Sequence, residues 1–343
     1  MATPALRHRM TPALQFEILD LRHFSANSLR PVLEQEIRLW NDRLHWDYRA
    51  SADLLLQYLD SRVLPGYVAI EDGRISGYVF CIYEENKAVI GDAFAIPCRS
   101  GSYSAVEVEL RLLDHIVELL IHSPGVERIE SQLLLHPHGA HAAAFHRAGF
   151  QIFPRLFMER DLSLSFAGFG SVNLFSSALK PLPPGFELRA WREDDFTPAG
   201  RLIAACYDGH LDSHINDQYR SVAGSMRFLH NVVRFPGCGT FDPAASRVIA
   251  RTGSKELAAL LLCSRVRSDV AHITQICVTK QNRGLGFGTL LLKACATELR
   301  KRHYATLTLT VTEGNTEAVS LYKTQNFATK HTFDAMVWNQ ARG

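Results

Sequence analysis

The sequence lacks the features that mark membrane-spanning, disulfide-linked or polyanion-binding proteins. No apolar run reaches the roughly 18 residues that a membrane-spanning helix needs. The net charge is only +2 on 343 residues, so bulk electrostatics favour neither nucleic acid nor an anionic membrane as partner. The seven cysteines are odd in number and form no Cys-X-X-Cys pair, which predicts reduced, buried thiols. The first ten residues are basic without an apolar core behind them, so we expect no secretory signal and a cytoplasmic location.

The chain has enough apolar material for more than one packed core. Hydrophobic residues make up 47% of it and charged residues 21%. A Pro-rich segment at 180–185 stops any regular element, and the Gly, Ser and Phe residues of 165–177 before it are typical of a linker. We therefore divide the chain into a tail (1–14), a first domain (15–165), a linker (166–185) and a second domain (186–343).

The two predicted domains have the same order of sequence patterns. Each begins with a similar strand, at Phe16 and at Phe186, and continues through a helix pair, a three-strand meander, a helix and a strand. A last helix, whose pattern ends at Phe150 or Phe327, and a final strand complete each unit. A repeat of this length predicts a tandem duplication of one α+β unit. We expect each copy to be a mixed, mostly antiparallel sheet flanked by helices.

A glycine-rich turn between a predicted strand and a predicted helix carries the clearest chemistry. The strand covers 273–278 and the helix 285–303, and Gly284, Gly286 and Gly288 lie at their junction. Such a turn exposes consecutive backbone N–H groups beside the positive end of a helix dipole, and glycines let a phosphate approach them closely. This pattern predicts a pyrophosphate site. It is neither a P-loop, which needs a Gly-Lys-Ser/Thr sequence, nor a good Rossmann fingerprint.

Two motifs resemble those of the GCN5-related N-acetyltransferase (GNAT) superfamily. The sequence QNRGLG at 281–286 resembles its acetyl-CoA-binding motif, Q/R-x-x-G-x-G/A. The sequence at 315–327 resembles its second motif, N-x-x-A-x-x-L-Y-x-x-x-G-F, with Asn326 in the place of glycine. Asparagine also tolerates positive φ, so we expect the turn to persist. The resemblance implies two tandem GNAT-like domains and direct acetyl transfer from the co-substrate acetyl-CoA to a primary amine of a small molecule or peptide, without a metal.

The resemblance also implies roles for individual residues. Tyr322 is the acid expected to protonate the departing CoA thiolate, since an unperturbed tyrosine keeps its proton near neutral pH. The amide at Val278 is expected to meet the thioester oxygen, and Asn315 to cap the next helix. The full set expected to contact acetyl-CoA comprises Val278, Gln281, Arg283, Gly284, Leu285, Gly286, Phe287, Gly288, Thr289 and Asn315.

The catalytic base has two candidates. Strand alternation predicts that His272 shares one face with Thr274, Ile276 and Val278, where it could take the amine proton near neutral pH. The alternative for His272 is a solvated histidine at the start of a strand. Glu313, just beyond strand 305–311, is the competing base.

The first copy lacks the residues expected to bind acetyl-CoA and to protonate the CoA thiolate. Its equivalent turn keeps only Gly101, the following helix begins with Glu107 and Glu109, and Phe145 aligns with Tyr322. Acidic residues there would repel a diphosphate. We therefore expect the first domain to be structural or to shape the substrate pocket.

Two polar segments have no assigned ligand. Four histidines lie between His136 and His146, but no carboxylate or cysteine is close in sequence, so we expect a solvated loop and no metal. Residues 207–219 are rich in Tyr, Asp and His. For them we favour an acidic wall that positions a cationic amine, with a metal site or an ordinary loop as alternatives.

Three functional hypotheses thus remain. The favoured one is an acetyl-CoA-dependent N-acetyltransferase acting through the second domain. The alternatives are transfer of another acyl group or to another acceptor, and a catalytically inactive sensor of acyl-CoA.

Overall fold

The computed structural model describes residues 17–98, 103–163, 182–235 and 239–341. The predicted tail, most of the predicted linker and the glycine turn of the first copy therefore lie outside the described residues. Within the described ranges, none of the helices combines the length and the apolar character needed to cross a bilayer.

The first half contains the elements that the repeat predicts. Its strands are β1 (Glu17–Asp20), β2 (Gly66–Glu71), β3 (Arg74–Glu84), β4 (Lys87–Ala95), β5 (Arg128–Gln132) and β6 (Gln151–Asp161). Its α-helices are α1 (Ala26–Leu44), α2 (Arg49–Asp60), α3 (Ala105–Ile121) and α4 (Ala142–Arg147), and a 3₁₀ helix covers Leu21–His23.

The second half follows the same order with a more elaborate helical region. Its strands are β7 (Phe186–Ala190), β8 (Thr240–Phe241), β9 (Arg247–Arg251), β10 (Leu257–Arg267), β11 (Val270–Val278), β12 (Thr306–Thr312) and β13 (Ala328–Asn339). Its α-helices are α5 (Phe196–Tyr207), α6 (Asp212–Ile215), α7 (Val222–Arg234), α8 (Phe287–Lys301) and α9 (Thr316–Thr324), and its 3₁₀ helices are Glu193–Asp195, Asp217–Arg220 and Lys280–Asn282. The α+β class with a mixed sheet is confirmed.

The two halves share one continuous sheet. Its order is β1-β2-β3-β4-β5-β13-β6-β12-β11-β10-β9-β7, with β8 beside β10. Strand β6 of the first half pairs antiparallel with β12 of the second, and the last strand, β13, lies between β5 and β6. Each half thus contributes its final strand to the other. The predicted domain limits describe the order along the chain, but they do not separate two independent sheets.

Alternation along the strands divides the core between the two faces. In β12, Leu307, Leu309 and Val311 pack against α8 in one cluster, as the Thr–Leu alternation predicts. On the opposite face α5 packs on β9 and β10. Trp40 and Trp46 of the first half pack there against Phe157 and Phe333. The first half therefore covers part of the sheet face opposite α8.

Candidate active site

The sheet splits open between β11 and β12. These strands pair in parallel only from Val270–Thr306 to Ile273–Leu309, after which no pairing continues toward Val278. A β-bulge causes this divergence, because Leu262 pairs with Gln275 and Cys263 pairs with Ile273, so that Thr274 is the extra residue. The split produces a gap between two strands that would otherwise be closed by hydrogen bonds.

The same bulge changes which side chains of β11 lie on the same face of the sheet. Ile273, Ile276 and Val278 all belong to the cluster beneath α8. His272 instead packs against the ring of Trp46, with centroids 5.0 Å apart. The prediction that His272 shares a face with Ile276 and Val278 is therefore wrong, since one extra residue inverts the alternation beyond it.

A cavity of about 660 Å³ runs through the split. Its walls are the open parts of β11 and β12, the glycine turn, α9 and the segment after α5. Among the predicted residues it is lined by Tyr322, His272, Val278, Arg283, Gly284, Gly286, Phe287, Gly288, Thr289 and Asn315. Gln281, Leu285 and Glu313 are exposed and do not line it.

The glycine turn has the geometry of an anion cradle. Gly284 and Gly286 have φ values of +78° and +84°, and a Cβ built on either one meets no atom within 4 Å. Gly286 is the N-cap of α8, which has no capping side chain. Among the described residues, the amides from Gly284 to Thr289 find no hydrogen-bond acceptor, whereas Leu290 bonds to the Gly286 carbonyl. Six adjacent donors at the positive end of a helix are thus available to an anion.

The amide of Val278 points into the gap. The neighbouring Thr279 N–H bonds to the Ala258 carbonyl on β10 at 3.0 Å. Because N–H groups alternate sides along a strand, the Val278 N–H points the other way, toward the diverging β12. It therefore offers a donor between the glycine turn and the centre of the cavity.

Tyr322 projects from α9 into the same cavity. Its side chain is 6% exposed and its ring packs on Phe327, with centroids 5.9 Å apart. Burial, with the nearby Asp212 carboxylate, raises the pKa of Tyr322 well above its usual value. The hydroxyl therefore stays protonated at any physiological pH. Asn315 caps the helix, as predicted, by accepting from the Ala318 N–H at 3.3 Å.

His272 is a buried and neutral imidazole. Burial, with a smaller contribution from Arg155, lowers the pKa of His272 to about 3. The Thr308 hydroxyl donates to the Ala271 carbonyl, so it accepts from Nδ1 of His272 at 2.9 Å. Nε2 then carries the free lone pair. His272 is therefore not the solvated histidine of the alternative interpretation. Its role as the catalytic base stays a prediction, and the low pKa argues against that role.

The wall formed by residues 207–219 is aromatic and acidic. Tyr207 stacks on Tyr219 at 4.4 Å, and its hydroxyl donates to Gln275 Oε1 at 2.9 Å. Asp212 accepts from the Thr312 hydroxyl at 2.5 Å and lies 3.7 Å from Nδ1 of His210. Residues 207–219 thus bring a carboxylate to the cavity, as the favoured interpretation of this segment requires.

The first half holds this wall in place through buried charges. Lys87 Nζ lies 2.6 Å from Asp217 and 3.2 Å from Glu130. Glu130 also accepts from the Asp217 amide, and Arg128 donates to the His214 carbonyl at 2.7 Å. These contacts fix the segment 212–220, which sequence reasoning treated as part of the second domain alone.

In the described part of the equivalent site in the first half, side chains of the same half bond to backbone donors. Strands β4 and β5 also separate beyond a bulge, after Ile90 pairs with Ser131. Ala95 then corresponds to Val278, but its amide donates to Glu109 Oε1 at 3.0 Å. The N-terminus of α3 is closed by a capping box between Ser104 and Glu107. The Ala95 amide and two amides at the start of α3 are thus satisfied internally, which agrees with a degenerate copy.

The histidine segment differs from the predicted solvated loop. His136 and His141 are buried, and burial lowers the pKa of each to about 4. Glu109 of α3 lies 3.0 Å from Nε2 of His141 and 3.6 Å from Nδ1 of His136. A carboxylate distant in sequence therefore completes a group of three potential metal ligands, and the prediction of a solvated loop is wrong for His136 and His141. His136 also bonds to the Ala93 carbonyl at 2.8 Å.

Sequence reasoning missed two further residues of the cavity. Arg155 on β6 and Gln132 on β5 line it, although both precede the second domain by many residues. No local pattern marks them, because their position depends on the exchange of strands between the halves.

Comparisons with known proteins agree with this architecture. Residues 215–327 match the model of the Acetyltransferase (GNAT) family. A tandem GNAT protein from the clavulanic acid biosynthesis pathway has a similar structure, with 14% identity, a TM-score of 0.56 and coverage of 96% of this chain and 100% of that one. A GCN5-related N-acetyltransferase from Sphaerobacter thermophilus has 14% identity, a TM-score of 0.57 and 96% coverage of both chains.

A third similar structure is the glucosamine N-acetyltransferase region of a fungal multi-domain β-N-acetylglucosaminidase. It has 15% identity and a TM-score of 0.62, and the match covers 95% of this chain and 38% of that one. No curated protein matches the sequence. At these identities the structures establish the tandem fold, and residues 215–327 of the second half resemble the GNAT family model.

Proposed function

We propose that the protein is an acetyl-CoA-dependent N-acetyltransferase that acts on a primary amine, because residues 215–327 match the GNAT acetyltransferase family model and the chain has a tandem GNAT fold. One observation carries the proposal. The free amides of Gly284 to Thr289 open onto a cavity that also contains the Val278 N–H and the Tyr322 hydroxyl. A diphosphate, a thioester and a leaving thiolate each find a suitable group there.

The reaction divides among these groups. The amides at the start of α8 bind the diphosphate, and the Val278 N–H stabilises the negative charge that develops on the thioester oxygen. The neutral amine attacks the carbonyl carbon, a C–N bond forms, and the C–S bond breaks. Tyr322 protonates the CoA thiolate and regains a proton from the nitrogen, so that ammonium and acetyl-CoA yield amide, CoA thiol and one proton. His272 remains the predicted relay for that proton.

Tyr322→Phe tests the chemistry separately from binding. Loss of a positioned general acid slows a reaction by about 100-fold or more, so we expect kcat for thiol release to fall by about that factor. The dissociation constant of acetyl-CoA should change less than threefold. Tyr304→Phe is the matched control, because Tyr304 is buried in the same cluster but does not line the cavity.

Thiol release distinguishes the hypothesis of an acetyltransferase from that of a sensor that only binds acyl-CoA. A panel of amines is incubated with acetyl-CoA, and thiol release is followed with a colorimetric reagent. Release by the wild type and by Tyr304→Phe, with a large loss in Tyr322→Phe, supports the enzyme. Binding of acetyl-CoA without release to any amine contradicts the proposal and favours the sensor.

A further inference from the structure

Arg155 places a positive charge in the cavity, on the face of the sheet opposite α8. It lies on β6, where it pairs in register with Thr312 of β12. The adjacent Leu156 packs in the cluster beneath α8, so alternation directs Arg155 to the other face of the sheet. Its charge contributes to the pKa shifts of both His272 and Tyr322. Arg155 is therefore close to the reacting end of the cavity.

The guanidinium of Arg155 has no anionic partner among the described residues. Nη1 of Arg155 donates a hydrogen bond to the neutral amide oxygen of Gln132 at 3.0 Å. Its Nε is buried without an acceptor. By contrast, Arg128 lies 2.6 Å from the carboxylate of Glu130. A buried donor left unpaired is costly, and the guanidinium keeps its charge and its other unused N–H groups beside a cavity that Arg155 lines.

Asp212 is a carboxylate that lines the same cavity. Asp212 accepts from Thr312, the register neighbour of Arg155, yet no ion pair within 4 Å joins the two charges in the described structure. The cavity thus contains the Asp212 carboxylate and the Arg155 guanidinium, which are not paired with each other. A ligand with an ammonium group and a carboxylate can satisfy both.

We propose that the acceptor is an amine that also carries a carboxylate, as amino acids do, and that Arg155 with Gln132 binds this carboxylate. The proposal rests on the acetyl transfer proposed above. The planar fork of Arg155 can donate two parallel hydrogen bonds to a carboxylate. The Gln132 amide can donate a third, and Asp212 faces the ammonium end. The first half, although degenerate, thereby supplies a substrate-binding residue to the active site of the second.

Matched pairs of acceptors test the proposal. Each pair comprises an amino acid and its carboxamide, assayed for thiol release with acetyl-CoA by the wild type, Arg155→Gln and Arg155→Lys. A charge-assisted hydrogen bond is worth roughly 1.5–3 kcal/mol, which corresponds to about 10- to 150-fold. We expect Arg155→Gln to lower kcat/KM for the carboxylate by that factor, mainly through KM. The carboxamide should lose less than threefold, and Arg155→Lys should retain part of the preference.

Two controls keep the readout specific. Arg147→Gln removes a surface arginine that pairs with Asp114, so it should leave both acceptors unaffected. The acetyl-CoA dissociation constant should be the same in wild type and Arg155→Gln. If the wild type acetylates carboxamides as well as carboxylates, or if Arg155→Gln slows both equally, the carboxylate site is wrong while acetyl transfer stands. If no member of any pair is acetylated while another amine of the panel is, the inference fails and acetyl transfer stands. If no amine of the panel is acetylated, both proposals fail.

Discussion

Replacing Gly286 tests whether the turn binds an anion through its shape and its charge. Gly286 is half-buried at the N-cap of α8, and a Cβ there enters open space. Gly286→Asp places a carboxylate where the diphosphate is expected. Two unit charges about 5 Å apart repel by ~3 kcal/mol at an effective dielectric constant of about 20, and partial exposure reduces this to about 2 kcal/mol. The dissociation constant for acetyl-CoA should rise at least 30-fold.

Gly286→Asn separates charge from backbone strain. Asparagine has nearly the size of aspartate and the same penalty at a φ of +84°, but no charge. We expect it to bind acetyl-CoA about 30-fold more tightly than Gly286→Asp in low salt, with a smaller ratio in high salt as the repulsion is screened. Gly73→Asp, at a φ of +74° in the β2–β3 turn of the first half, carries the strain and the charge away from the site and should bind normally.

Isothermal titration calorimetry at two ionic strengths measures these ratios. The reasoning is refuted if Gly286→Asp and Gly286→Asn weaken acetyl-CoA binding equally at both salt concentrations, because charge would then play no part. It is also refuted if neither variant affects binding.

Two further predictions concern the first half. Lys87→Met leaves Asp217 without its cation and frees the segment 212–220, so KM for the acceptor should rise several-fold more than KM for acetyl-CoA in steady-state kinetics; equal changes would contradict the role of this anchor. Glu109→Ala leaves the Ala95 amide unpaired in the interior and should lower the free energy of unfolding by about 2 kcal/mol in urea, whereas Glu109→Gln, which keeps an acceptor, should lower it less.

The sequence predicts most of the local structure of the second half. The Thr–Leu alternation of β12, the glycines at 284 and 286 and the Asn315 cap each depend on residues close together in the chain. Asn326 adopts a φ of +63°, as its place in the second motif requires. Local pattern was enough because a turn, a cap and an amphipathic face are set by neighbouring residues.

The structural features that the sequence does not predict depend on contacts between segments that are distant in the chain. The bulge at Thr274, which inverts the side of His272, follows from the register between β10 and β11. The exchange of β6 and β13 brings Arg155 into the cavity of the other half. Glu109 reaches His141 across the interior of the first half. In each case the contact joins segments that are distant in the chain, and the residue pattern within either segment does not predict it.

A crystal structure of the complex with acetyl-CoA tests the central claim most directly. The account predicts that the diphosphate oxygens lie within hydrogen-bond distance of the amides from Gly284 to Thr289, with the thioester carbonyl at the Val278 N–H and the sulfur beside Tyr322. A complex in which the diphosphate is bound elsewhere, or in which these amides contact only solvent, would contradict it.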